Sequence, residues 1–219
     1  VTGVTASQDL LDAAIAVEAD AVLVHHGYFW KDEAAEIRGM KRNRLKTLLA
    51  TDTNMYAYHL PLDGHPELGN NAQLAKRFGI DVQGEIAVLL PWGELDKPLT
   101  GEEFRRRIEL SLDRNVLHSS QNAPAEIRRV AWCSGGGQGY IQKAAEFGVD
   151  AFISGEVSEQ TIHIARAMGL HFYAAGHHAT ERSGAQALGE WLQTEHGLDV
   201  MFIHIDTPAS GLSIFPLFS

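Results

Sequence analysis

A single cysteine, Cys133, is all that the 219 residues offer to sulfur chemistry, which excludes an internal disulfide and zinc–thiolate clusters. Any metal must be held by histidine and carboxylate. Basic residues are also scarce: 18 Lys and Arg against 28 Asp and Glu give a formal net charge of -10. That field repels nucleic-acid phosphates and does not favour anionic membranes. No apolar run approaches the roughly 20 residues that span a bilayer, and no basic stretch followed by an apolar core marks a secretory signal. With the lone thiol, this leads us to expect a cytoplasmic protein. There is no Gly-x-Ser-x-Gly elbow. The turn Ser134-Gly-Gly-Gly-Gln-Gly139 lacks the Lys-Ser/Thr of a P-loop and the full dinucleotide fingerprint, so close backbone packing is expected there. Cys133 itself, inside an apolar run, reads as a packed thiol. An initiator Met is missing too: Val1 already lies in a strand-like segment, so further N-terminal sequence is expected to precede it. The tail after Asp206, with Pro208, Gly211 and Pro216, reads as irregular.

What the chain has is histidine, 11 residues of it, in clusters placed where strands end. Ala21-Val-Leu-Val runs into His25-His26, Met55 to Leu60 carries His59 ahead of Asp63 and His65, and Leu170 to Ala175 precedes His177-His178 and Glu181. Each apolar run is short and bounded, as in a buried parallel strand, and helical patterns alternate with them. Ser7 caps a helix with Leu10, Leu11, Ala14 and Ile15 on one face, a second helix from Lys41 to Ala50 turns Leu45, Leu48 and Leu49 inward, and a third covers Asn70 to Phe78. After Pro91-Trp-Gly93, Thr100 and Glu103 form a capping box for a helix burying Phe104, Ile108 and Leu112. Asn115 to Pro124 reads as a loop, Val157 to Met168 and Thr180 to Glu195 as helices, the latter burying Leu188, Trp191 and Leu192, and Asp199 to Ile205 as a last strand. The fold class is therefore α/β: two α/β domains with mostly parallel sheets flanked by helices. Aligning Asp20-Ala-Val-Leu-Val-His-His26 with Asp150-Ala-Phe-Ile-Ser-Gly-Glu156 points to an internal duplication of a β-α-β unit, although any two such units share an apolar pattern.

Strand ends open into the crevice where α/β proteins place their sites. His177 and Glu181, four apart, share a helical face if the helix begins near His177. His59 and Asp63 have the same spacing, but Pro61 argues against a helix there. Imidazole plus carboxylate suits zinc, iron, manganese or nickel, and a bridging carboxylate suits a dinuclear centre. A lone histidine at a strand end is more often a hydrogen-bonded structural residue; three clusters at three strand ends outweigh that. His118, His171, His196 and His204 have no usable carboxylate arrangement. Glu156 and His163, aimed at the cleft by the second β-α-β unit, are the candidates for catalytic proton transfer, with His178 behind them. The basic run Arg38, Lys41, Arg42, Arg44, Lys46 reads as the wet face of a helix.

The motifs Val24-His-His-Gly-Tyr-Phe-Trp30, His59-Leu-Pro-Leu-Asp63, Ile153-Ser-Gly-Glu156 and Ala175-Gly-His-His-Ala-Thr-Glu181 together resemble the NIF-three-like family, whose bacterial members are often named GTP cyclohydrolase 1 type 2 homologs. The resemblance covers nearly the whole chain. It implies a ring-shaped homo-hexamer with two divalent metal ions per subunit. By position it gives His25, His26, Asp63, His177 and Glu181 as ligands, Glu181 as the bridge, and His59 as an alternate ligand or a support behind the others. Ligands from both chain ends imply a discontinuous metal-binding domain, residues 1–94 plus 169–219, with residues 95–168 inserted as a second α/β domain. The function implied is metal-dependent hydrolysis of a nucleotide or similar small phosphorylated or heterocyclic substrate. Two alternatives use the same ligands: a non-enzymatic metal-binding or metal-delivery protein, and a scaffold ring. A nucleic-acid-binding ring is disfavoured by the charge.

Overall fold

The structure, a computed structural model, describes residues 1–207; the expected irregular tail from Pro208 onward lies outside the described residues. Two sheets organise the chain. The first has three parallel strands in the order β1-β2-β3, with β1 at Thr2–Thr5, β2 at Ala21–His26 and β3 at Asn54–Ala57. The second has six, in the order β4-β5-β7-β8-β9-β6. It is formed by β4 (Ile80–Ala87), β5 (Leu90–Thr100), β6 (Leu117–Ser119), β7 (Glu126–Cys133), β8 (Ala151–Ser154) and β9 (His171–Ala174). It is parallel across β7, β8 and β9 and antiparallel elsewhere.

Local chemistry sets the helices. In α1 (Gln8–Ala16), the Ser7 hydroxyl accepts the Leu10 N–H at 3.2 Å, and Leu10, Leu11 and Ala14 are buried on the small sheet. The capping box read from Thr100 and Glu103 is present at the start of α5 (Gly101–Leu112), which buries Phe104, Ile108 and Leu112. That face joins Leu74 and Phe78 of α4 (Asn70–Phe78) and Trp132 of β7 in one core. A second core lies on the other face, with Cys133, Ile141 of α6 (Ile141–Phe147), Phe152 and Phe172. Burial pushes the Cys133 thiol up to about 12, so it is a packed thiol as expected.

Several elements depart from the sequence reading. The β4-β5 hairpin was unread because Pro91 and Pro98 discourage a strand; Pro98 falls where the β5-β7 register shifts, a position that tolerates a missing donor. The expected loop at Asn115 to Pro124 contains β6, an edge strand of three residues. The last strand is reduced to one bridge between Thr2 and Phe202. In α2 (Gly39–Ala50) only Leu48 is buried, while Leu49 is 80% exposed. The long C-terminal helix α8 (His177–His196) starts three residues earlier than read. It buries small residues, Ala179, Ser183, Gly184, Ala185 and Gly189, in place of Trp191, Leu188 and Leu192. Small side chains let α8 lie close along β1, β2 and α4, which brings its first turn to the end of β2.

Candidate metal centre

Parallel strands β2, β7, β8 and β9 end towards one region, and the turns after them supply its polar groups. His25 and His26 close β2. Asp63 sits in α3 (Leu60–Gly64), a short helix that forms in spite of Pro61 because proline occupies its first turn, where no N–H is needed. His177 and Glu181 occupy the first turns of α8 on one face, with Nε2 to Oε1 at 3.1 Å.

The three imidazoles aim the same atom at one carboxylate. His25 Nε2 lies 3.3 Å from Glu181 Oε1, and His26 Nε2 lies 3.4 Å from Oε2. Each opposite ring nitrogen is engaged behind: His25 Nδ1 with the Tyr58 carbonyl at 3.2 Å, His26 Nδ1 with the Thr5 hydroxyl at 3.0 Å, and His177 Nδ1 with Glu156 Oε1 at 2.6 Å. Carbonyl and carboxylate only accept, so the His25 and His177 Nδ1 atoms carry protons, and each inward-facing Nε2 offers a lone pair in the neutral ring or a second proton in the charged one. Asp63 is held likewise. Its Oδ1 accepts from Asn70 Nδ2 at 2.9 Å and Ser134 Oγ at 2.7 Å, leaving Oδ2 directed at His25 Nε2, 3.6 Å away.

Lone pairs converging on carboxylates repel unless something positive lies between them. His25 Nε2 and Glu181 Oε2 are buried without a hydrogen-bond partner, and three groups of ligand atoms lie within 4.8 Å of one another: His25, His26 and His59; His26, His177 and Glu181; His25, Asp63 and Glu181. In the metal-free protein, protons take the cation's part. The Glu181 hydrogen bond, helped by Glu156, lifts His177 to about 9. Burial opposes the charged form of His25, yet Glu181 and Asp63 raise it. Burial also works to raise Glu181, but His177 and His25 hold it down at about 2. His26 is different: burial, with the neighbouring imidazoles His25, His177 and His59, outweighs the pull of Glu181 and depresses it to about 4, which leaves it neutral and ready to donate a lone pair. The donor set fits a divalent cation, and a carboxylate with an oxygen towards each side fits two.

Glu156, read from sequence as a proton shuttle, lies beside the cluster through His177, and its Oε2 accepts from Gln138 Nε2 at 3.2 Å. His163, on α7 (Glu159–Met168), is brought to none of the three groups; its imidazole is 68% exposed and its nearest acid is Glu159 at 3.8 Å. His65 caps a turn by accepting the Glu67 and Leu68 N–H groups, and His178 stacks on His204 with centroids 5.3 Å apart. Residues that the sequence did not single out include Asn70, whose other amide end accepts the Gly184 N–H at 2.8 Å, and Thr180, whose hydroxyl takes the Gly135 N–H at 2.9 Å. The glycine-rich turn packs closely, as expected: Gly135, at φ +59, lies so near that a Cβ would overlap Glu181 Oε1. An Asn70→Ala substitution takes the side-chain acceptor from the buried Gly184 N–H and leaves Asp63 Oδ1 with Ser134 Oγ alone, and is expected to cost about 1–3 kcal/mol in a urea melt, the range for one buried group short of a partner.

A family model described as DUF34/NIF3 (NGG1p interacting factor 3) matches residues 1–208. The chain is 70% identical over 209 residues to a GTP cyclohydrolase 1 type 2 homolog of Yersinia pestis, and 66% identical to the protein of that name from Escherichia coli K12; each match covers 95% of this chain and 85% of the relative. Among solved structures, one described as protein ybgI, of unknown function, superposes with a TM-score of 0.93 at 65% identity, covering 94% of this chain and 84% of that one. The TTHA1606 protein of Thermus thermophilus does so at 0.86 and 30%, covering 96% and 84%. By sequence and by fold, the chain belongs to the DUF34/NIF3 family.

Proposed function

We propose that this protein carries a dinuclear divalent-metal centre, with His25, His26, Asp63, His177 and Glu181 as ligands and Glu181 as the bridge. We further propose that it is a metal-dependent hydrolase of a nucleotide or a similar small phosphorylated, heterocyclic substrate, working in the cytoplasm as a ring-shaped homo-oligomer. The observation that carries the reading is the convergence of three imidazole nitrogens and two buried carboxylates on unpartnered space. A divalent pair held there supplies Lewis acidity, lowering the pKa of water to near 7 and polarising the bond under attack. The name shared by the relatives supports a nucleotide as substrate. His59 takes the place of an alternate ligand, and His163, without a neighbour in the cluster, is assigned no step.

The chain's own residues divide the remaining work. Tyr58, Thr5 and Glu156 fix the ring orientations from behind, and Asn70 and Ser134 hold Asp63; losing one such support costs roughly 10–100-fold in metal affinity. His177 and its carboxylate partner are partly open to solvent, at 35% and 45% of their side chains. Glu156 can therefore both steady His177 and exchange a proton with substrate or water.

Glu156→Gln separates hydrolysis from mere metal holding. A glutamine oxygen still accepts the His177 Nδ1–H, so metal content stays, while turnover of nucleotide substrates falls by roughly 10²–10⁴-fold with the proton carrier gone. Unchanged turnover in a metal-replete variant refutes the assigned role, and no turnover of any nucleotide or phosphoester by the wild type favours a metal-delivery role.

Proton competition gives a second expectation. His177, held at about 9 without metal, is protonated at pH 7, and the metal must displace that proton. Apparent metal affinity therefore climbs by up to about tenfold per pH unit above neutrality and levels off near the His177 value, with proton release seen in unbuffered titrations. An affinity flat across that window contradicts the assignment of His177.

A further inference from the structure

The loop between β2 and α2 is built at some cost, and what it presents is an aromatic side chain at the edge of the metal centre. Phe29 has φ +65, a left-handed conformation uncommon for a bulky residue. Glu33 Oε2 holds the bend by accepting the Phe29 N–H at 2.7 Å and the Trp30 N–H at 3.3 Å. Lys41 locks Glu33 in turn, with Nζ 3.2 Å from the same oxygen and 4.6 Å from the Phe29 ring centroid. The clamped loop sets the Trp30 ring edge-on to His59, with centroids 4.7 Å apart, and 6.3 Å from His26. Trp30 nevertheless stays 43% exposed and Phe29 62% exposed.

Packing on His59 contributes only about 0.5–1.5 kcal/mol, and the loop leaves much of the Trp30 surface open to solvent beside the candidate ligands. Strain kept by a hydrogen-bonded clamp, next to the chemistry, is the pattern of a preset binding element. We propose that Trp30 is the platform on which a planar heteroaromatic ring of the substrate stacks, so that the anionic part of the same molecule reaches the metal centre. This rests on the hydrolase reading above and adds the residue that selects the substrate class. An aromatic face accepts any base and reads no hydrogen-bonding pattern.

The test uses the metal-loaded protein, with GTP and tripolyphosphate as probes that share three linked phosphates and differ in the nucleoside, the Trp30 variants isolating the part of the difference that comes from stacking. Calorimetric titration of wild type is expected to show GTP binding tighter than tripolyphosphate by roughly 5- to 150-fold, the range of one stacked base. Trp30→Ala should lose that preference and keep its metal content and its tripolyphosphate affinity, and Trp30→Phe should retain most of the preference. The platform is overturned if wild type does not prefer GTP, if Trp30→Ala keeps the preference, or if Trp30→Ala changes the oligomeric mass, which would make the face a contact between copies. Hydrolysis is scored separately. Phosphoester turnover with no Trp30-dependent preference defeats the platform alone, whereas a Trp30-dependent preference without turnover defeats the hydrolase reading and leaves the platform standing.

Discussion

Glu181→Ala protein is expected to purify folded and without bound metal. Glu181 is 3% exposed, and its two oxygens face three imidazoles, with Nε2 distances of 3.1, 3.3 and 3.4 Å, whereas Asp63 Oδ2 stands 3.6 Å from His25 Nε2. Loss of a group that merely orients a ligand costs about 10–100-fold in affinity; loss of Glu181, proposed above as the carboxylate shared between two ions, is expected to exceed about 100-fold. The same substitution removes the main cause of the elevated His177 value, so in the metal-free variant that imidazole returns towards its ordinary 6.5. Metal analysis by mass spectrometry and histidine titration by NMR read the two effects independently. Retention of two ions by Glu181→Ala removes Glu181 from the bridge.

Gly135→Ala is expected to do nearly as much damage from the opposite wall. One methyl group there would overlap Glu181 Oε1 and stand 3.1 Å from His177 Nε2, in the space between donor atoms. Strain adds to this, because φ +59 favours glycine by about 1 kcal/mol. Metal affinity should fall by more than about tenfold, beyond the effect of a lost support, with the melting temperature of the metal-free protein lowered by only a few degrees. Gly139→Ala, four residues along the same turn, meets nothing within 4 Å and should bind metal like the wild type. Equal binding by both alanine variants would mean that the turn does not wall the site.

The glycine-rich turn is only half legible in the sequence. Its sequence announced close packing without saying against what, because the partner Glu181 lies on α8, in contact only after folding. The candidate ligands were legible for the opposite reason. His25 and His26 ride on an apolar run that can only be a strand, and His177 and Glu181 carry helical spacing, so each pair's local geometry was written nearby. Their convergence on one site is expected from clusters placed at strand ends that open into a crevice, whereas the full set of five ligands came from the family resemblance. The supports were invisible: Asn70 sits in an ordinary amphipathic helix, and the Tyr58 carbonyl has no side-chain signature at all. In the fold, the parallel units and caps were readable, whereas the β4-β5 hairpin was hidden by two prolines and the buried face of α8 by its small residues, which pattern reading passes over in favour of Leu188 and Trp191. His163 shows the limit of extrapolating along a helix: the element was right, but its exposed side chain joins none of the donor groups.

The central claim is that these donors hold metal, and the most direct measurement is metal content per subunit of the wild-type protein purified without added metal, repeated after stripping and reloading with zinc, iron, manganese and nickel in turn. The expected result is about two divalent ions per subunit, lost on stripping and restored by at least one of these metals. No stoichiometric metal under any loading condition would mean that His25, His26 and His177 are structural histidines gathered around an ionised Glu181, and would contradict the claim at its root.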